Sequence, residues 1–166
     1  MERMHIDHPL EPVFDASSRV LVLGTMPSPV SRETGFYYGH PRNRFWRVMA
    51  ALWDEAVPQS PGQRRAFALD HGVALWDVLA SCEIAGASDA SIADPVPNDL
   101  STITGIAPIG TVFTTGAKAA HLYAKLCSDQ LPGIEHIALP STSAANARMP
   151  LDELVRSYRI IRERTE

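Results

Sequence analysis

The sequence predicts an α/β fold, a three-layer α/β/α sandwich around a central, mainly parallel four-stranded sheet. Three observations predict it. Short apolar, β-branched runs recur along the chain, the first stopped by Gly24 and the last by Pro140. Segments with helical spacing separate those runs. The chain has 166 residues and no Gly/Ser linker or repeat, which fits one domain over residues 1–166 with a full core.

The elements follow in order. Arg19 to Gly24 is a continuous apolar run, the mark of a strand buried on both faces. A polar, proline-containing loop is expected from Thr25 to His40, and Pro41 then opens a helix with Phe45, Val48, Met49 and Leu52 on one face. A second helix is expected over Pro61 to His71, ended by Gly72, and a second strand over Val73 to Leu79. Ser81 to Pro97, rich in Ser, Ala, Asp and Pro, reads as a long surface loop. A short helix capped by Asn98 follows, then a strand over Thr111 to Thr115 and an Ala-rich helix from Gly116 to Leu126. Ile134 to Leu139 is the fourth strand. Pro150 opens a last helix whose acids come first and arginines last, matching the helix dipole.

Composition narrows the function. The chain is 45% hydrophobic and 20% charged, which excludes disordered, collagenous and coiled-coil classes. A net charge of −4 excludes a generally basic nucleic-acid coat but permits a local basic patch. The two cysteines have no metal-ligand or disulfide-framework spacing. No run reaches the roughly 18 apolar residues of a membrane span, and Met1 to Asp15 has no apolar core of a signal peptide. A reduced, cytoplasmic protein is expected.

Right-handed crossovers bring the four strand ends to one edge, where open α/β sheets bind ligands. The loops after Gly24, Leu79, Thr115 and Leu139 meet there. The first is the most informative, running Gly24-Thr25-Met26-Pro27-Ser28 and later Phe36-Tyr37-Tyr38-Gly39-His40-Pro41-Arg42-Asn43-Arg44. Aromatic faces can stack on a base, and arginines near a helix start can meet phosphate. The turn Leu139-Pro140-Ser141-Thr142-Ser143 offers three hydroxyls beside a sheet end, a candidate phosphate cradle or a plain hydroxyl-rich turn. None of these stretches fits a nucleophile elbow, a P-loop or a dinucleotide fingerprint.

The three stretches resemble the uracil-DNA glycosylase superfamily, above all its hypoxanthine-DNA glycosylase (DNA-deoxyinosine glycosylase) branch. That branch reads G-S-M-P-G, then Y-Y-x-H-P-x-N-x-F-W, then P-S-T-S, and Gly72 to Asp77 and Pro97-Asn98-Asp99 resemble it too. The resemblance implies a monofunctional DNA glycosylase of base excision repair. Such an enzyme hydrolyses the N-glycosidic bond of a flipped hypoxanthine or uracil, in double- or single-stranded DNA, as a monomer and without metal or cofactor. In the classical uracil branch an Asp precedes the first Pro and a His opens the last motif; here those positions are Met26 and Leu139. The resemblance therefore moves the catalytic role to Asn43. It implies a base site of Gly24, Thr25, Met26, Phe36, Tyr37, Tyr38, His40 and Thr115, and backbone contacts from Pro27, Ser28, Arg42, Ser141, Thr142 and Ser143.

Two departures from the branch stand out, Ser28 for its usual Gly and Thr115 for its usual Asn. Asn43 can position a water through its carbonyl oxygen or donate its NH₂ to the departing base. His40 is either a donor to that base or a cap for the following turn. Asp77 and Asp89 can face the same edge, Asp77 more as a structural partner. No lysine lies near either motif to form a Schiff base. Two other readings stay open: a glycosylase mainly for uracil, and a non-catalytic nucleic-acid-binding module.

Overall fold

Continuous apolar runs build the centre of the molecule, and the helices gather around them. The computed structural model describes residues 2–166; Met1, the first residue of the expected domain, lies outside them. The elements are β1 (Met4–Asp7), β2 (Val20–Gly24), α1 (Pro29–Thr34), α2 (Phe45–Leu52), α3 (Pro61–Asp70), β3 (Val73–Asp77), β4 (Leu79–Ile84), β5 (Ala93–Pro97), α4 (Ser101–Thr104), β6 (Thr111–Thr115), α5 (Ala117–Leu126), β7 (Glu135–Leu139) and α6 (Leu151–Thr165).

The main sheet has the order β3-β2-β6-β7 with every pair parallel. β2 and β3 are buried at every position, as the apolar runs Val20–Leu23 and Val73–Trp76 require, and Asp77 is buried with them. The chain leaves β2 for β3 on one side and β6 for β7 on the other, so β2 and β6 are neighbours whose crossovers run in opposite directions. That reversal opens a crevice at their carboxyl ends. The register puts Gly24 beside Asp77 and Thr115 beside Leu139 on that edge. Helices flank the sheet: α6 packs on α2 and β2, α3 on β3, and α5 on β6 and β7.

The segment Ser81 to Pro97 is not a loop. β4 and β5 form a hairpin there, and β1 joins it to give a second, antiparallel sheet of order β1-β4-β5. Irregularities in the β4–β5 register break the two-residue alternation that identifies a strand. Pro95 and Pro97 are tolerated because β5 is an edge strand.

Other boundaries also move. The expected strand Val73 to Leu79 breaks at Val78, whose N–H turns back to the Gly24 carbonyl. Asn98 is no helix cap; its buried amide donates to the carbonyls of Asp77 and Leu79 and pins that break. The loop from Thr25 to His40 contains α1, started by Ser28 and Pro29 and ended by Gly35 in the left-handed region. The helix expected from Pro41 begins at Phe45, because the Arg42 and Asn43 N–H groups turn back onto His40. His71, at the end of α3, stacks on Trp53 and meets Glu55 at 2.8 Å.

Candidate active site

A cavity of about 520 Å³ opens at the carboxyl ends of β2, β3 and β6. Its floor forms where Gly24 brings the backbone close to three side chains. A Cβ at Gly24 would lie 2.6 Å from Asp77 Oδ1, 3.4 Å from the Tyr38 hydroxyl and 3.6 Å from Thr115 Oγ1. Any larger residue would fill the space those polar atoms share.

Asn43 stands in the wall of this cavity, and its orientation is fixed by chemistry. Its Oδ1 accepts from the Phe45 N–H at 2.9 Å and from the Thr142 hydroxyl at 2.8 Å. A backbone N–H can only donate, so the oxygen faces Phe45 and the amide cannot be flipped. Among the described residues the Asn43 NH₂ has no partner, and it is left to the cavity.

The turn after β7 forms the facing wall. Ser141 Oγ accepts from the Ser143 N–H and donates to Ser143 Oγ, both at 3.1 Å. Gly116, at φ 96°, lets the start of α5 approach this turn, with a Cβ there 3.3 Å from Ser141 Cβ. Arg44 locks the turn from below. Its N–H donates to the Thr142 carbonyl, and its guanidinium donates to the carbonyls of Asn146 and Met149 at 2.9 and 2.6 Å.

Of the expected base site, Gly24, Thr25, Met26, Tyr37, Tyr38, His40 and Thr115 line the cavity. Phe36 does not. It is buried against Tyr37 and Trp46, because the αL turn at Gly35 drives its ring into the core. Tyr37 is only 2% exposed and its hydroxyl donates to the Glu11 carbonyl, so it is wall rather than stacking platform. Tyr38 is the freer aromatic, one face stacked on Phe45 with ring centroids 3.9 Å apart and its hydroxyl 3.3 Å from Thr115 Oγ1. Burial pushes the Tyr37 and Tyr38 phenols far up, so both stay protonated. The Arg42 N–H donates to His40 Nδ1, which leaves Nε2 as the protonated nitrogen of the neutral ring.

Among the expected backbone contacts, Pro27, Ser28, Ser141, Thr142 and Ser143 line the cavity, whereas Arg42 is exposed outside its lining. Two of these are corrected in part. The Thr142 side chain is buried and its hydroxyl is engaged by Asn43, so it is not a free phosphate donor. Ser28 Oγ accepts from the Ser31 N–H and donates to Ser31 Oγ, capping α1.

Sequence reasoning placed Asp89 at this edge and missed the residues around it. Ile84, Gly86, Ala87, Ser88 and Asp89 enter the wall from the β4–β5 hairpin. Surrounding protein pushes the Asp89 carboxyl upward, with Lys118 opposing. Asp77 reaches the cavity, and its Oδ2 lies 2.8 Å from His8 Nε2, both side chains almost fully buried. The sequence signal for Asp77 was its place after a buried strand; His8 had none.

This combination, a fixed amide between an aromatic and a hydroxyl-rich loop, can bind a flat heterocycle and place a donor against it. Comparisons with known proteins identify the family. Residues 11–159 match the family model described as "Uracil DNA glycosylase superfamily". A Methanosarcina barkeri protein named hypoxanthine DNA glycosylase is 34% identical over 82% of this chain and 86% of its own length. A Methanosarcina acetivorans protein of the same name is 31% identical, covering 82% and 85%. The solution NMR structure of a protein described as a uracil DNA glycosylase from Methanosarcina acetivorans superposes with a TM-score of 0.78. It is 28% identical, over 95% of this chain and 99% of that one.

Proposed function

The chain belongs to the uracil DNA glycosylase superfamily, and we propose that it is a monofunctional DNA glycosylase that removes a flipped, deaminated base, hypoxanthine foremost, from DNA. A single domain over residues 1–166 performs the reaction as a cytoplasmic monomer. The observation that carries this reading is the Asn43 amide, held by Phe45 and Thr142 with its NH₂ turned to the cavity.

A base inside a duplex hides its glycosidic carbon, so the nucleotide rotates out at a cost of a few kcal/mol, least where the base is mispaired. The freed base enters the cavity beside Tyr38, whose ring supplies a stacking face worth about 1–3 kcal/mol. Main-chain groups of Gly24, Thr25 and Met26 border the base, and the Ser141 and Ser143 loop meets the flanking phosphates. As the bond between C1′ and the base nitrogen breaks, the electron pair stays with the base and positive charge develops on the sugar. Water then adds its oxygen to C1′ and its proton leaves to solvent. Asn43 cannot take that proton, since an amide does not titrate near neutrality. With its Oδ1 already engaged, it acts by donating N–H to the departing base, an electrostatic contribution. The Nε2–H of His40 supplies a second donor from the same wall.

The test is base release from matched duplexes carrying hypoxanthine, uracil or no lesion, with EDTA present. Hypoxanthine release in excess of uracil release is expected. Uracil release alone overturns the base preference. Intact DNA binding with no release from any duplex overturns the catalytic reading and leaves a binding module.

A further inference from the structure

We propose that Asp77, held by His8, is the specificity-determining residue that reads the ring N–H which deamination creates on a base. This inference rests on the glycosylase reading above and extends it.

The arrangement of the pair follows from its neighbours. The Leu10 N–H donates to His8 Nδ1 at 3.3 Å, so that nitrogen carries no proton. The proton of the ring therefore sits on Nε2 and is donated to Asp77 Oδ2 at 2.8 Å. The pair is almost completely buried, and no Lys or Arg pairs with Asp77 among the described residues. Asp77 Oδ1, by contrast, has no hydrogen-bond partner and yet is not sealed off. It points at the open space over Gly24, where a Cβ would stand 2.6 Å away. With Oδ2 taken by His8, Oδ1 is the oxygen of this carboxylate left free to accept from whatever enters the cavity.

A carboxylate oxygen accepts and never donates. Adenine N1 and cytosine N3 carry lone pairs, whereas hypoxanthine N1 and uracil N3 carry hydrogens. The same oxygen therefore attracts the deaminated ring and repels the parent ring. The second half of the match lies beside it. Tyr38 and Thr115 hold their hydroxyls 3.3 Å apart next to the same Gly24 position. That pair can turn one O–H toward the carbonyl that adjoins the ring N–H in hypoxanthine or uracil. Acceptor and donor thus stand side by side in the order the deaminated edge needs. Guanine also carries a hydrogen on N1, and its exclusion falls to the larger cost of unpairing it from cytosine.

The experiment measures affinity for duplexes containing one 2′-fluoroarabino nucleotide, whose glycosidic bond resists cleavage, with hypoxanthine, 1-methylhypoxanthine or adenine as the base. Wild type is expected to prefer hypoxanthine over adenine by roughly tenfold or more. In Asp77→Asn the amide oxygen accepts from His8 and the NH₂ turns to the cavity, a donor facing a donor. That preference is then lost, through weaker binding of the hypoxanthine duplex relative to the adenine duplex. His8→Gln weakens the preference in the same direction, by less. Should Asp77→Asn fail to fold, wild type decides alone, since blocking N1 with a methyl group must cost as much affinity as adenine does. An Asp77→Asn protein with the wild-type preference, or tight binding of the methylated base, overturns the proposal. If wild type releases neither hypoxanthine nor uracil from cleavable duplexes, the glycosylase reading fails and takes this one with it. Release with an unchanged Asp77→Asn preference removes this inference only.

Discussion

The Thr142 hydroxyl donates to Asn43 Oδ1 over 2.8 Å, joining positions 99 residues apart in sequence at the amide to which the proposed mechanism gives the donor role. The bond is partly buried, and with the Phe45 N–H it fixes which way the amide faces. Thr142→Val keeps the shape and removes the hydroxyl, leaving Asn43 held by Phe45 alone. Turnover of a hypoxanthine duplex is expected to fall roughly tenfold, with KM little changed, and stability to drop by about 1 kcal/mol. Single-turnover kinetics beside urea unfolding separates the two effects.

Asn43→Asp is the sharper substitution. The acid can still accept from Phe45 and Thr142, but an oxygen replaces the NH₂ that is left to the cavity. Loss of one donor to developing charge typically costs about 10²–10³ in kcat. DNA affinity is expected to fall far less than kcat. Equal losses in both would make Asn43 a binding residue.

Arg44 holds the hydroxyl-rich turn through two carbonyls rather than by touching the cavity. Arg44→Met keeps part of the packing and removes both bonds, which are charge-assisted. Stability is expected to fall by about 1.5–3 kcal/mol. Amides of residues 141–149 should exchange with solvent faster than those of β2. Uniform exchange across the chain would contradict a local role.

How far the sequence foretold this structure depends on which physical signal each part leaves. Val20–Gly24 was legible because a strand buried on both faces reads as an unbroken apolar run, and Thr111–Thr115 because it is β-branched at every position but Phe113. The second sheet was not legible, since its strands carry register irregularities, prolines and a partner from the far N-terminus. Asn43 and the loops at 24–28 and 139–143 were read from motifs, and the structure brings them to one cavity. The engagement of Thr142 by Asn43, the burial of Phe36 and the pairing of His8 with Asp77 depend on long-range packing, which no local pattern encodes.

His136 sets an acid-side limit to stability. Burial lowers its pKa below the ordinary 6.5, with Thr114 Oγ1 2.8 Å from Nε2. The unfolded chain then takes up a proton more readily than the folded one, so stability falls as pH drops through 6.5 toward the folded value. His5 acts in the opposite sense. Its hydrogen bonds to Asp7 and Glu83 raise its pKa, so its contribution is present below 6.5 and lost as pH rises through the folded value. Melting between about pH 7.5 and about pH 5.5 should therefore show a smaller acid loss in His136→Asn and a larger one in His5→Gln. Identical slopes in all three proteins would contradict both assignments.

The junction of β2 with β6 has a kinetic consequence as well as a geometric one. Leu23 and Thr115, which meet across it, are 92 residues apart. Closing so long a loop precedes any reward from the contacts it allows, and parallel pairings of this kind assemble slowly. The reaction centre therefore has no early, partly competent form. During synthesis residues 20–24 have their β3 partner first and gain β6 on the other side only once residues 111–115 are made.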